Sequence, residues 1–172
     1  MSHEVAVYCL YRNLFFMERI SQKDLPAGLY QALSQAQQYV DHSGIDHKLL
    51  HLIKFKASLI NNCAYCIDMH YKDAVLEGET AQRLISLQAW REAPYYSDEE
   101  RAVLEFTEVL TKLPPDESSE HIHDKLNKYF SKQEIANLTL AVITINSWNR
   151  LVRSFGPVAG SYKPKNAAVE HA

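Results

Sequence analysis

Few residues here break a helix. Glycine occurs five times and proline six times in 172 residues, and both mark boundaries more often than they interrupt a periodic segment, which reads as a chain of helices. Cysteine is equally sparse. Three of them exclude a disulfide framework, and in a reducing compartment a close pair points to catalysis or metal binding rather than to a structural staple. Charge of one sign is also lacking: the net charge of −3 comes from both signs scattered along the chain, which leaves no footprint for nucleic acid or an acidic membrane surface. The longest apolar opening, VAVYCLY, is cut by Arg12 after seven residues. It has no basic leader or small-residue cleavage site and is too short to span a bilayer. Neither a nucleic acid nor a membrane partner is expected, and the chain is placed in the cytoplasm.

What is present is helical periodicity. Leu29, Leu33, Ala36 and Val40 form a stripe that ends near Ser43-Gly44, and Asp46 is placed to cap a second helix, HKLLHLIKFKASLI. A third runs from about Cys63 to Glu77, with Gly78 as its stop. TAQRLISLQAW follows Thr80 and ends before Pro94. Ser97 with Glu100, and Ser131 with Glu134, form capping boxes that open two more helices. The last carries an apolar face so broad that most of it should be buried. The fold class is all-α, a single-domain helical bundle: an N-terminal arm over residues 1–25, its alternation suggesting an extended conformation, a helical domain over 26–160 and a C-terminal tail over 161–172. Cys9 reads as a buried small hydrophobe.

The chemistry sits in INNCAYCIDMHYKDA, residues 60–74. At about 100° per residue, a helix starting near Cys63 places Cys66 roughly 60° and His70 about 20° from it around the axis. All three then share a face. The first turn of a helix favours a thiolate, a C-x-x-C pair can close a disulfide and resolve a sulfenic acid, and His70 can carry protons. Which thiol attacks stays open at this level: Cys63 has the better dipole position, Cys66 the nearer imidazole. Two alternatives stand beside the dithiol, namely core packing of two small residues and a zinc site on Cys63, Cys66 and His70. Zinc is disfavoured because no second ligand pair exists.

KASLINNCAYCIDMHYKDA, GETAQRLISLQAWREAPYYSDEERAVLEFTEVLT and LTLAVITINSWNRL together closely resemble the alkylhydroperoxidase D-like branch of the carboxymuconolactone decarboxylase family, over about residues 27–155. Relatives that decarboxylate lactones lack the cysteine pair. The resemblance implies an all-helical fold, a homo-oligomer (trimer or hexamer), and a thiol peroxidase acting on hydrogen peroxide or alkyl hydroperoxides in antioxidant defence. It implies Cys63 and Cys66 as the redox pair and His70 as the proton relay, with no cofactor and no metal. An external dithiol or protein reductant would complete each turnover.

One position departs from the pattern. Twelve residues before Cys63, where the family has glutamate, this chain has His51. Leu50 and Leu52 flank it, so no shifted acid replaces it locally. His51 is then either an idle substitution or half of a His51–His70 pair whose mutual repulsion lowers both pKa values. Tyr65, between the cysteines, lies about 200° from Cys63 on the wheel and is expected to serve packing or a subunit contact. Asn146, Trp148, Asn149 and Arg150 read as anchors of a buried helix, Arg150 pairing with Glu105 or Glu108. The reading from a different class is a redox-sensing or scaffold oligomer whose disulfide switches stability or partner binding with negligible turnover.

Overall fold

Three of the five long helices begin where a short polar side chain closes the first turn. In a computed structural model, which describes residues 18–115 and 120–164, α1 (Leu29–Asp41) is followed by α2 (His47–Ile60), where Asp46 accepts from the Lys48 N–H at 2.8 Å. Then come α3 (Ala64–Leu76), the short α4 (Ala81–Ser86), α5 (Asp98–Lys112), α6 (Glu120–Leu126) and α7 (Lys132–Phe155). The capping boxes of Ser97 with Glu100 and Ser131 with Glu134 are both formed. Each satisfies two N–H groups that a helix start leaves orphaned. The architecture is all-α among the described residues, and none of these helices is long and apolar enough to cross a membrane. Most of the expected arm, and with it Cys9, lies outside the described residues.

α2 is the centre of the bundle because its sequence is apolar on more than one side. Leu50, Ile53 and Ala57 face α1, α5, α6 and α7, packing with Val103, Ile122, Leu138 and Ile145. Leu52 and Phe55 face the other way, into a second cluster with Ala74, Leu84, Leu87, Trp90 and Leu104. A helix clamped on two faces is a rigid base, and α3 is packed directly on it.

Three elements differ from expectation. α4 stops at Ser86 and continues as a 3-10 turn over Leu87–Ala89. In that geometry i and i+3 side chains eclipse, so Leu87 and Trp90 enter the same cluster, while the Leu87 carbonyl accepts from the buried Lys56 ammonium at 3.1 Å. α6 escaped notice because it buries only Ile122 and Leu126, too few residues to show a period. α7 is less buried than its composition suggests: Ile143 is half exposed, since the neighbours of α7 cover one side of it only.

Candidate active site

A network of side-chain amides holds the turn that leads into the cysteines. Asn61, just past α2, donates through Nδ2 to Asn146 Oδ1 at 2.9 Å and to Asn149 Oδ1 at 2.8 Å on α7. Asn149 donates back to Ser58 Oγ at 3.1 Å, and Asn146 to Thr111 Oγ1 at 3.0 Å. Buried amides satisfied in this way fix a single geometry. Arg150 joins the network through the Asn146 carbonyl and Oδ1, not through the carboxylates expected for it. Glu105 is taken by Lys125, and Glu108 by Trp90, Arg91 and Lys112. The reason is exposure: Arg150 is exposed, keeps its hydration and needs no counter-charge.

Asn62 then turns the chain with φ of +51°, a left-handed conformation that asparagine tolerates and branched residues do not. Asn62→Val should cost about 1–2 kcal/mol, read as a lower urea midpoint at unchanged slope, with Asn62→Gly no less stable than the parent. Cys63 follows as the N-cap of α3 in extended backbone (φ −91°, ψ 92°), its N–H bonded to the Ser58 carbonyl at 3.1 Å. Cys66 lies in the first helical turn. The two are joined in a disulfide with their Cα atoms 5.3 Å apart, and each is only 1% exposed.

The N-cap geometry alters the helical-wheel estimate. Cys63 stands outside the helix, so angles measured from it do not apply, whereas Cys66 and His70 are both helical at i and i+4 and share a face. Both line a cleft of about 370 Å³ together with His51, Tyr65, Met69 and Trp148. Tyr65 therefore sits on the cleft wall beside Cys66 rather than turned away. Tyr30 packs against Trp148 with the rings tilted 55° and their centroids 5.1 Å apart, which extends the apolar wall.

His70 is buried, and its Nε2 makes no hydrogen bond among the described residues. Burial, with smaller electrostatic contributions from Lys54 and His51 in the same direction, pushes the imidazole down to about 3, so it is neutral in the disulfide form. Lys54 lines the same cleft, paired with Asp41 at 2.8 Å. Asp73, one turn past His70, accepts from the Tyr162 hydroxyl at 2.7 Å, and its carboxyl is raised by burial.

His51 comes from α2 and reaches the same cleft. Its Nε2 lies 2.9 Å from Glu77 Oε2, with His47 Nδ1 at 3.8 Å from that oxygen. The His51 contact is an ion-pair separation rather than a hydrogen bond, since neither ring nitrogen makes an aligned bond. The acid missing from the neighbourhood of His51 in sequence is thus present in space, carried on the C-cap residue of α3. Half of that signal was legible, because Cys66, His70, Asp73 and Glu77 recur at four, three and four residues, one face of a helix. The pairing with His51 depends on α2 packing against α3. Among the described residues no three His, Cys, Asp or Glu side chains are gathered as a metal site.

Residues 27–109 match the model of the carboxymuconolactone decarboxylase family. The uncharacterized protein YdfG of Bacillus subtilis (strain 168) is 34% identical over 84% of this chain and 98% of its own. YnjA of Escherichia coli (strain K12), also uncharacterized, is 25% identical over 58% of this chain and 54% of its own. A protein of unknown function from Agrobacterium tumefaciens, proposed to be the antioxidant defence protein AhpD, superposes at a TM-score of 0.77 with 34% identity, covering 87% of this chain and 99% of that one. The debrominase Bmp8, bound to 2,3,4-tribromopyrrole, superposes at 0.72 with 16% identity over 94% of this chain and 90% of its own, a likeness of fold alone. By sequence, by fold and by the cysteine pair at the start of α3, the chain belongs to the carboxymuconolactone decarboxylase family, in its alkylhydroperoxidase D-like branch.

Proposed function

We propose that the chain is a thiol-dependent peroxidase that reduces hydrogen peroxide or an alkyl hydroperoxide with the Cys63–Cys66 dithiol. The observation that carries this reading is the shared cleft: a disulfide-forming cysteine, Cys66, and an imidazole, His70, whose Nε2 has no hydrogen-bond partner among the described residues, one turn apart on the same wall. The likeness to a protein proposed for antioxidant defence supports it.

The chemistry follows from that placement. In the reduced protein the Cys66 thiolate attacks the terminal peroxide oxygen, the O–O bond breaks, and the leaving alkoxide or hydroxide takes a proton from His70. Cys66 becomes a sulfenic acid. Cys63 attacks its sulfur, hydroxide leaves and is protonated to water, and the disulfide forms. An external dithiol restores both thiols. Reduction also prepares His70, because a thiolate one turn away favours the imidazolium that the disulfide form disfavours. His51 and Glu77 are then positioning residues that link the buried imidazole to the surface, where the Glu77 carboxylate is 44% exposed.

The test is peroxide consumption by the purified protein with excess dithiothreitol. Turnover well above the dithiothreitol background supports the reading. A disulfide that opens and closes with no sustained consumption would identify a redox switch instead. If His51→Glu raises the rate strongly, the imidazole at that position is a poor substitute for a direct acid; an unchanged rate shows that position 51 is idle.

A further inference from the structure

The two cysteines of the disulfide line different clefts. Cys66 lines the cleft of His51 and His70, whereas Cys63 lines a second cleft of about 220 Å³ on the other side of a wall formed by Tyr65 and Val152, which border both. The reason is local: Cys63 is extended N-cap backbone outside α3, whereas Cys66 lies within the first turn of the helix.

The second cleft carries two guanidinium groups, Arg19 and Arg153. Both are held by backbone carbonyls. Arg19 donates to Ser154 O at 2.9 Å and to Arg153 O, and Arg153 donates to Asn61 O at 2.9 Å. Among the described residues neither forms an ion pair, while the lysine of the first cleft, Lys54, is neutralised by Asp41. Glu18, the neighbour of Arg19 in sequence, lines an adjacent cleft with Ile20 and Pro157 instead. Gly156 makes room for the arrangement: a Cβ there would lie 3.0 Å from Arg19 Cζ, and its φ of +77° also selects glycine. Two oriented cations beside a buried sulfur form a site for an anion that brings its own thiol.

We propose that this second cleft is the entry of the reductant, and that the reductant is a small thiol bearing a carboxylate, held by Arg19 and Arg153. The proposal rests on the reading that the Cys63–Cys66 pair cycles. The bound thiolate attacks Cys63 Sγ, the Cys63–Cys66 bond breaks, and the electron pair leaves on Cys66, on the first turn of α3 and facing His70. A second thiolate then attacks the reductant sulfur of the mixed disulfide and releases Cys63 as a thiolate. Two thiols become one external disulfide, and the protein gains two electrons. Displacement at sulfur requires a nucleophile that reaches Cys63 from the side away from Cys66, and the second cleft is lined by Cys63 and not by Cys66. Peroxide and reductant thus use different doors to one bond.

The experiment measures reduction of the protein disulfide, with no peroxide present, by 3-mercaptopropionate, 2-mercaptoethanol and cysteamine, each rate corrected for its thiolate fraction. The carboxylate thiol should be faster than the neutral one by about tenfold and the cationic thiol slowest. Arg153→Gln should erase most of that preference and Arg153→Lys keep most of it. Because Arg19 also caps α7, the preference is measured in the unaltered protein as well, where raising salt from low to high concentration should abolish it. Given 3,3′-dithiodipropionate, the disulfide of 3-mercaptopropionate, the Cys63 thiolate of Cys66→Ser should exchange with it, and mass spectrometry should find one 3-mercaptopropionate disulfide-linked to Cys63 and one released as free thiol. Equal corrected rates for the three thiols at low salt overturn the proposal. Since no peroxide is used, a protein with the expected thiol preference but no peroxide turnover would sink the peroxidase reading and leave this one standing.

Discussion

Cys66→Ser should reduce peroxide consumption to the dithiothreitol background. The peroxide-reactive sulfur must share a cavity with the group that protonates the leaving oxygen, and Cys66 shares one with His70 while Cys63 does not. A serine hydroxyl at the same place is far less acidic than a thiol and its oxygen cannot be oxidised, so no slower version of the step survives. Cys63→Ser should behave differently. It keeps the attacking thiol and loses the resolving one, so a sulfenic acid accumulates on Cys66, detectable by a dimedone adduct, and slower turnover persists because dithiothreitol resolves it directly. Unchanged thermal unfolding of both variants would show that the loss is chemical. If Cys66→Ser consumes peroxide as fast as the parent, the peroxidase reading fails.

His70→Leu should have two effects of opposite sign. Removing the proton carrier should lower the peroxide rate by about 10²–10⁴-fold. The same substitution should make the oxidised protein more resistant to acid. In the folded disulfide form His70 titrates at about 3, against about 6.5 unfolded. Between these values the unfolded chain binds a proton that the folded chain refuses, so the native protein loses stability as pH falls below about 6.5, and the loss levels off only near the folded value. The difference reaches about 2 kcal/mol by pH 5. Glu108 adds a separate dependence: desolvation raises it, but Lys112, Trp90, Lys56 and Arg91 more than reverse this and hold it at about 2. Its contribution is present above the ordinary glutamate range and fades as pH falls toward 2. Comparing His70→Leu with the parent cancels that part. Urea midpoints of the oxidised proteins from pH 7 to pH 5 should diverge, the parent falling faster. Parallel curves would show that His70 is hydrated well enough to charge in place.

The opposition of these effects is the physical content of the site. A neutral imidazole inside the protein costs acid stability, and the proposed peroxidase would use that same imidazole to hand a proton to a leaving oxygen. His51 and Glu77 extend the arrangement outward. Their contact bears on the one feature of the chain that departed from its family: the acid near position 51 reaches His51 from the far end of α3, fourteen residues after Cys63, instead of from α2 itself.

Local spacing determined what local physics controls. Asp46, Thr80, Ser97 and Ser131 announce helix starts because a cap is an interaction between residues two or three apart. Cys66 and His70 announce a shared face because four residues make about one turn. Nothing of that kind could show that α4 would tighten into a 3-10 turn under Lys56, that Arg150 would be exposed and bind an asparagine, or that Tyr65 would border the cleft. Nor could it show the Glu77 carboxylate beside His51, or Cys63 and Cys66 opening onto different clefts. Those outcomes depend on which helices α2 touches and on the backbone angle at one capping residue, Cys63. The sequence by itself determined the long helices, the close cysteine pair and the imidazole one turn after it. The packing of α2, α3 and α7 decided what surrounds them, because contacts between residues far apart in the chain are selected by the whole core at once.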